Sequence, residues 1–213
     1  VLNNKDGKVL ISNFIYLSLL QVAGYIFPLI TFPYLAKTIG VEKFGEIAFA
    51  LAMLSYFQTI VDYGFNFTAT RDIAQNRNNI MVVSQIFSNV LWARCFLLLI
   101  MLLPFVIIVF SIEKLFLMRK LLFATFLLLP GHILFPQWLF QGLEKMKYIT
   151  ILNVISKLIF TIAVFLVIRE ESDYMYQPIL TSLGFIVSGV ISFYIIVVRW
   201  GVKILSPNYK QIR

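Results

Sequence analysis

Lys157 lies nine residues into the apolar run Ile149–Ile168, and Thr150, Asn153, Lys157 and Thr161 follow at spacings of three, four and four. Those spacings put all four on one face of a helix. An ammonium near the middle of a lipid-spanning helix costs about 2.5 to 3.5 kcal/mol on insertion scales, so it must face a cavity or a partner. A cationic stripe is a poor match for a cationic ligand, because like charges repel strongly at low dielectric. The competing reading pairs Lys157 with a carboxylate or carbonyl of a neighbouring helix, as packing.

Other residues out of place in lipid carry weaker signals. Arg94 sits among apolar helical neighbours, Phe87, Leu91, Leu97 and Leu98, where snorkelling to the near interface is an alternative to a functional role. Gln85 belongs with Ser84, Ser88 and Asn89 in a separate polar patch on that helix. Asp62 shares a face with Ser55, Gln58 and Thr59, which makes it a proton or cation candidate or, near the helix end, a surface carboxylate. His132, the only histidine, interrupts "LLLPGHILFPQW" together with Pro130, Gly131 and Pro136; it can carry protons or serve packing. A lone histidine and a lone cysteine, Cys95, leave no metal-ligand set, and there is no Walker-type phosphate loop or paired acid and base. No catalytic residue, metal or cofactor is therefore expected. Gln21, Gly24, Pro28 and Thr31 align on the first apolar helix, where proline removes backbone bonds and invites a bend. Thr181, Gly184, Ser188 and Ser192 form a small-residue face suited to close helix packing.

The elements that must position these residues follow from composition. The chain of 213 residues is 60% hydrophobic and only 13% charged, with a mean hydropathy of +0.88. A water-soluble domain carries about a quarter charged residues. Apolar runs recur six times, predicting an all-α membrane protein with spans near 10–35, 44–63, 83–110, 120–140, 149–168 and 177–198. The formal charge of +8 is scattered between these runs, which argues for topology and against nucleic acid. Lys5, Lys8, Arg71, Arg77, Lys145, Lys147, Arg199, Lys203, Lys210 and Arg213 fall on the amino-terminal side. Lys37, Lys43, Lys114, Arg119, Lys120 and Arg169 fall opposite. That bias predicts a cytoplasmic amino terminus. "DYGFNFTATRDIAQNRNN", Asp62 to Asn79, then becomes the first cytoplasmic loop, with Gly64 ending the second helix.

Three phrases together resemble the polysaccharide flippases of the O-antigen (Wzx) type, in the multidrug/oligosaccharidyl-lipid/polysaccharide exporter superfamily. They are "YLSLLQVAGYIFPLITFPYLAKTIGVEKFGEIAFA" at Tyr16–Ala50, "DYGFNFTATRDIAQNRN" at Asp62–Asn78 and "QWLFQGLEKMKYITILNVISK" at Gln137–Lys157. The resemblance implies a fold of two six-helix bundles around a cavity that opens alternately to each side. Residues 1–198 would be the first bundle, and 199–213 a basic cytoplasmic segment leading to a second bundle that the chain lacks. It implies a non-enzymatic transporter of undecaprenyl-pyrophosphate-linked oligosaccharide in the bacterial inner membrane. The implied partners are that lipid-linked oligosaccharide, membrane lipids, and polysaccharide polymerase and chain-length proteins. On this expectation Lys157 and Arg94 hold pyrophosphate or acidic sugars, while Asn153, Gln21 and Gln137 line the sugar path. Arg71 and Asp72 gate the cytoplasmic mouth, and Asp62 or His132 couples an ion. The rivals are a drug or small-cation exporter of the same superfamily and a membrane-embedded glycosyltransferase or polymerase. The latter would need acidic or histidine groups at an aqueous face, and Glu170, Glu171 and Asp173 are the sole acidic cluster in the outer loops.

Overall fold

A computed structural model describes residues 4–207. The last six residues of the basic segment, with Lys210 and Arg213, lie outside the described residues, as do the side chains of Lys5 and Lys8. Among the described residues ten α-helices follow in order: α1 (Asn4–Thr38), α2 (Gly40–Asp62), α3 (Phe65–Gln75), α4 (Ile80–Ser111), α5 (Glu113–Leu117), α6 (Arg119–Phe126), α7 (Leu128–Leu134), α8 (Gln137–Gly142), α9 (Met146–Val167) and α10 (Tyr176–Tyr194). A 3₁₀ turn, Glu171–Met175, precedes α10, and a π-helical turn, Ile195–Arg199, follows it. Grouped by length and apolarity, they give six helical stretches able to cross a membrane, so the expected all-α, six-span membrane protein is what forms.

Apolar side chains such as Phe14, Leu29, Phe96 and Leu103 remain exposed along α1 and α4, as lipid-facing surfaces require. The buried core divides into two clusters. One gathers Leu35, Ile47, Phe105, Phe126 and Val164 near the α1–α2 turn, with the Phe105 and Phe126 rings 4.4 Å apart. The other gathers Ile73, Phe87, Trp138, Phe140, Ile149 and Val202 at the opposite end. Contacts between turns confirm that successive spans alternate in direction. Arg77 pairs with Glu144 at 2.7 Å at the α3 end, and Tyr34 Oη donates to the Ile168 carbonyl at 2.7 Å at the other.

One expectation changes, and the interruption expected in the fourth span takes definite form. The stretch 62–79 is not a plain interfacial loop, because α3 occupies most of it. Tyr63 and Gly64, at φ 41° and 75°, separate α3 from α2 through the left-handed region, which glycine tolerates at little cost. Ala69 and Ile73, four residues apart, are then buried against α8. The approach is so close that a Cβ on Gly142 would stand 2.6 Å from Ile73 Cγ2 and 2.8 Å from the Thr70 carbonyl. The fourth span is not one helix but α6, α7 and α8 in sequence, broken at Leu127 and at Phe135–Pro136. Pro130 falls in the first turn of α7, where its missing N–H leaves no bond unmade. α1, by contrast, runs on through Pro28 and Pro33.

The small face of α10 packs as its residue types suggest. A Cβ on Gly184 would sit 2.9 Å from Ser156 Oγ, and Ser188 Oγ donates to the Leu152 carbonyl at 2.9 Å. The polar patch of α4 also has an occupant. Beyond the π turn the chain runs extended along α4: Lys203 N donates to Ser84 Oγ (3.0 Å) and Leu205 N to Ser88 Oγ (2.8 Å). Trp92 Nε1 donates to the Leu205 carbonyl (3.1 Å). An extended strap without a strand partner needs side chains to satisfy its backbone, and this patch supplies them.

Candidate functional site

At the α3–α8 end, α2, α3, α4, α7 and α8 line an open cavity of about 580 Å³. Its wall is polar although the helices around it are apolar. Gln58 and Asp62 come from the end of α2, Asn66 and Arg71 from α3, Arg94 from α4, His132 from α7, and Gln137 and Gln141 from α8. Breaking the fourth span into short helices is what lets α7 and α8 turn His132 and Gln137 toward the same space.

Arg94 is the centre of the arrangement. Its Nη2 lies 3.0 Å from Asp62 Oδ1 and donates to Asn66 Oδ1 at 2.8 Å. The guanidinium side chain is only 4% exposed, against 25% for the carboxylate. Snorkelling, left open by the sequence, is therefore not how this arginine is accommodated. A buried ion costs several kcal/mol unless it is paired and hydrogen-bonded, and Asp62 with Asn66 offsets that cost. Two buried donors in the wall, Arg94 Nε and Trp138 Nε1, have no protein acceptor among the described residues. The His132 ring lies against Phe185 of α10, with centroids 4.4 Å apart.

Lys157 is elsewhere. It borders a separate pocket of about 160 Å³ with Thr31, Ser156, Thr181 and several aromatic rings. It is half-buried and makes no hydrogen bond or ion pair among the described residues. The ammonium stands beside Gly24, where a Cβ would come within 3.7 Å of Nζ. The α9 stripe thus faces α1: Thr150 Oγ1 donates to the Tyr16 carbonyl at 2.8 Å. Asn153 is buried and donates to the Ile149 carbonyl of its own helix at 2.9 Å. Gln21 is exposed and donates to Tyr25 Oη at 2.8 Å. At the rim of the larger cavity Arg71 pairs with Asp72 at 3.3 Å, both largely in the open.

Five residues singled out from sequence, Asp62, Arg71, Arg94, His132 and Gln137, therefore share one cavity, while Lys157, Asn153 and Gln21 lie apart from it. Asn66 and Gln141 were missed. The signal for Asn66 was its place four residues after Asp62, within a stretch treated as loop.

The family described as "Polysaccharide biosynthesis protein" matches residues 10–213. The chain belongs to that family. Within it, the chain is 34% identical over 194 residues to a protein of Escherichia coli (strain K12) named "Putative O-antigen transporter", covering 91% of this chain and 47% of that one. A protein of the same name from Shigella dysenteriae is 30% identical over 188 residues, covering 86% of this chain and 46% of its own length. The chain spans about half the length of these curated relatives. No solved structure matches it. The resemblance to polysaccharide flippases read from the sequence is borne out at the level of family.

Proposed function

We propose that this chain is the amino-terminal six-helix bundle of a flippase that carries lipid-linked oligosaccharide repeat units across the bacterial inner membrane, with its amino terminus in the cytoplasm. The observation that carries the reading is the polar cavity around Asp62, Asn66 and Arg94, set among helices apolar enough to span a membrane, in a family whose relatives are named as O-antigen transporters. A sugar chain needs a hydrogen-bonding path through hydrocarbon, and a pyrophosphate needs a positive charge. Gln58, Gln137 and Gln141 serve the first need. Lys157, whose charge no acidic side chain in the described residues cancels, serves the second.

Movement comes from rocking this bundle against a second one around the bound cargo, with no bond made or broken. The α3–α8 end forms the cytoplasmic mouth, and the Arg71–Asp72 pair sits where that mouth opens. Asp62 and His132 are the groups available to a coupling ion. The gene that encodes this chain, placed in a bacterium lacking its own O-antigen flippase and making the matching repeat unit, should restore long-chain lipopolysaccharide on gels. Accumulation of unexported lipid-linked repeat unit at normal protein levels would overturn the reading.

A further inference from the structure

The larger cavity is not cationic, despite the arginine in its wall. Arg94 has its charge matched by Asp62 at 3.0 Å, and the carboxylate stands in front, six times as exposed as the guanidinium (25% against 4%). Around it Gln58, Gln137 and Gln141 are half-buried, and their side chains make no hydrogen bond among the described residues. Asn66 gives its oxygen to Arg94 and keeps its NH₂. Half-buried amides with unused donors and acceptors are free to pair with groups that both give and accept. Sugar hydroxyl and acetamido groups do both. Phe67, exposed at the cavity edge, offers a ring for the apolar face of a pyranose. The volume, about 580 Å³, lies within the range of about 300–1,000 Å³ usual for small-ligand sites.

We infer that this cavity binds the uncharged sugars of the cargo, and that Asp62 sets that selectivity by cancelling Arg94 and presenting a carboxylate to whatever enters. The inference rests on the flippase reading and narrows it: an acidic sugar would place its carboxylate beside that of Asp62, and like charges brought together disfavour that ligand. Arg71 does not reverse this, since it lies at the rim, 70% exposed and paired with Asp72. His132 is the remaining ionisable group in the wall.

The test uses the protein that contains this chain, in nanodiscs at about pH 8, where an ordinary imidazole is uncharged. It is titrated calorimetrically with two lipid-free oligosaccharides of equal length, one built of neutral N-acetylated sugars and one with a single glucuronate replacing a neutral unit. The wild type should favour the neutral ligand at least tenfold. Asp62→Asn should shrink or reverse that ratio at least tenfold, and Asp62→Asn combined with Arg94→Gln, which leaves neither charge, should bring it back part of the way. A ratio unmoved by Asp62→Asn, or a wild type that prefers the acidic ligand, overturns the inference. Should Asp62→Asn not fold, Gln137→Leu and Gln141→Leu decide: each should weaken the neutral ligand at least fivefold, and unchanged affinity in both overturns it. A protein that supports polysaccharide export yet binds neither free oligosaccharide overturns this inference alone. One that supports no export removes the flippase reading beneath it.

Discussion

Arg94 is 3% exposed and held by Asp62 at 3.0 Å and Asn66 at 2.8 Å, whereas Lys157, half-buried on α9, has neither an ion pair nor a hydrogen bond among the described residues. Both are cations inside apolar helices, and both carry the cost of leaving water. For Arg94 the protein supplies the compensation itself, so the charge is spent on joining α2, α3 and α4. For Lys157 it does not. An uncompensated charge kept inside a membrane bundle is the better place to look for a ligand, and a compensated one the better place to look for architecture.

The comparison can be broken by substitution, beginning with the largest effect. Arg94→Met leaves Asp62 without its counter-ion and should destabilise the bundle by about 3–5 kcal/mol, toward the lower end because the carboxylate keeps some solvent. Denaturant unfolding in detergent measures it. The double variant Arg94→Met with Asp62→Leu should recover much of that loss, and a double variant as unstable as the single would show that the pair is not the source. Gly142→Ala drives a methyl onto Ile73 and the Thr70 carbonyl, and should cost about 1–3 kcal/mol by forcing α3 off α8. Cysteine cross-linking between those helices should fall in parallel.

Smaller effects sharpen the contrast. Ser88→Ala removes the acceptor for Leu205 N and should cost about 1 kcal/mol, visible as faster amide exchange at Leu205 with the rest of the bundle unchanged. Lys157→Gln should be the mildest of all for stability, within about 0.5 kcal/mol of wild type or slightly stabilising, since it removes a charge that nothing in the bundle compensates. A large loss on Lys157→Gln would mean that its charge is structural after all.

How much of this was readable beforehand depended on the range of the interaction. Six spans were legible because apolarity over twenty residues is a property of the run itself. The Lys157 stripe was legible for the same reason, since helical spacing is local, although it turned out to face α1 through Thr150 and Gly24 rather than a wide cavity. The Asp62–Arg94 pair was not legible: each residue stood out on its own helix, but they are 32 positions apart and nothing local joins them. Equal and opposite charges near the facing ends of adjacent spans were the clue. Helix α3 was hidden by its polarity, because its burial depends on Gly142 and Trp138 of α8, far along the chain. The Ser84–Ser88 patch was visible as a patch, but its occupant, the strap at Lys203–Ser206, could only come from the fold.

The most direct measurement is surface polysaccharide in a flippase-deficient strain carrying Lys157→Gln or Lys157→Arg, at matched protein levels in the membrane. At least a tenfold loss of long-chain polysaccharide is expected with Gln and partial retention with Arg, both variants folding as wild type. Normal polysaccharide from the Gln variant would contradict it.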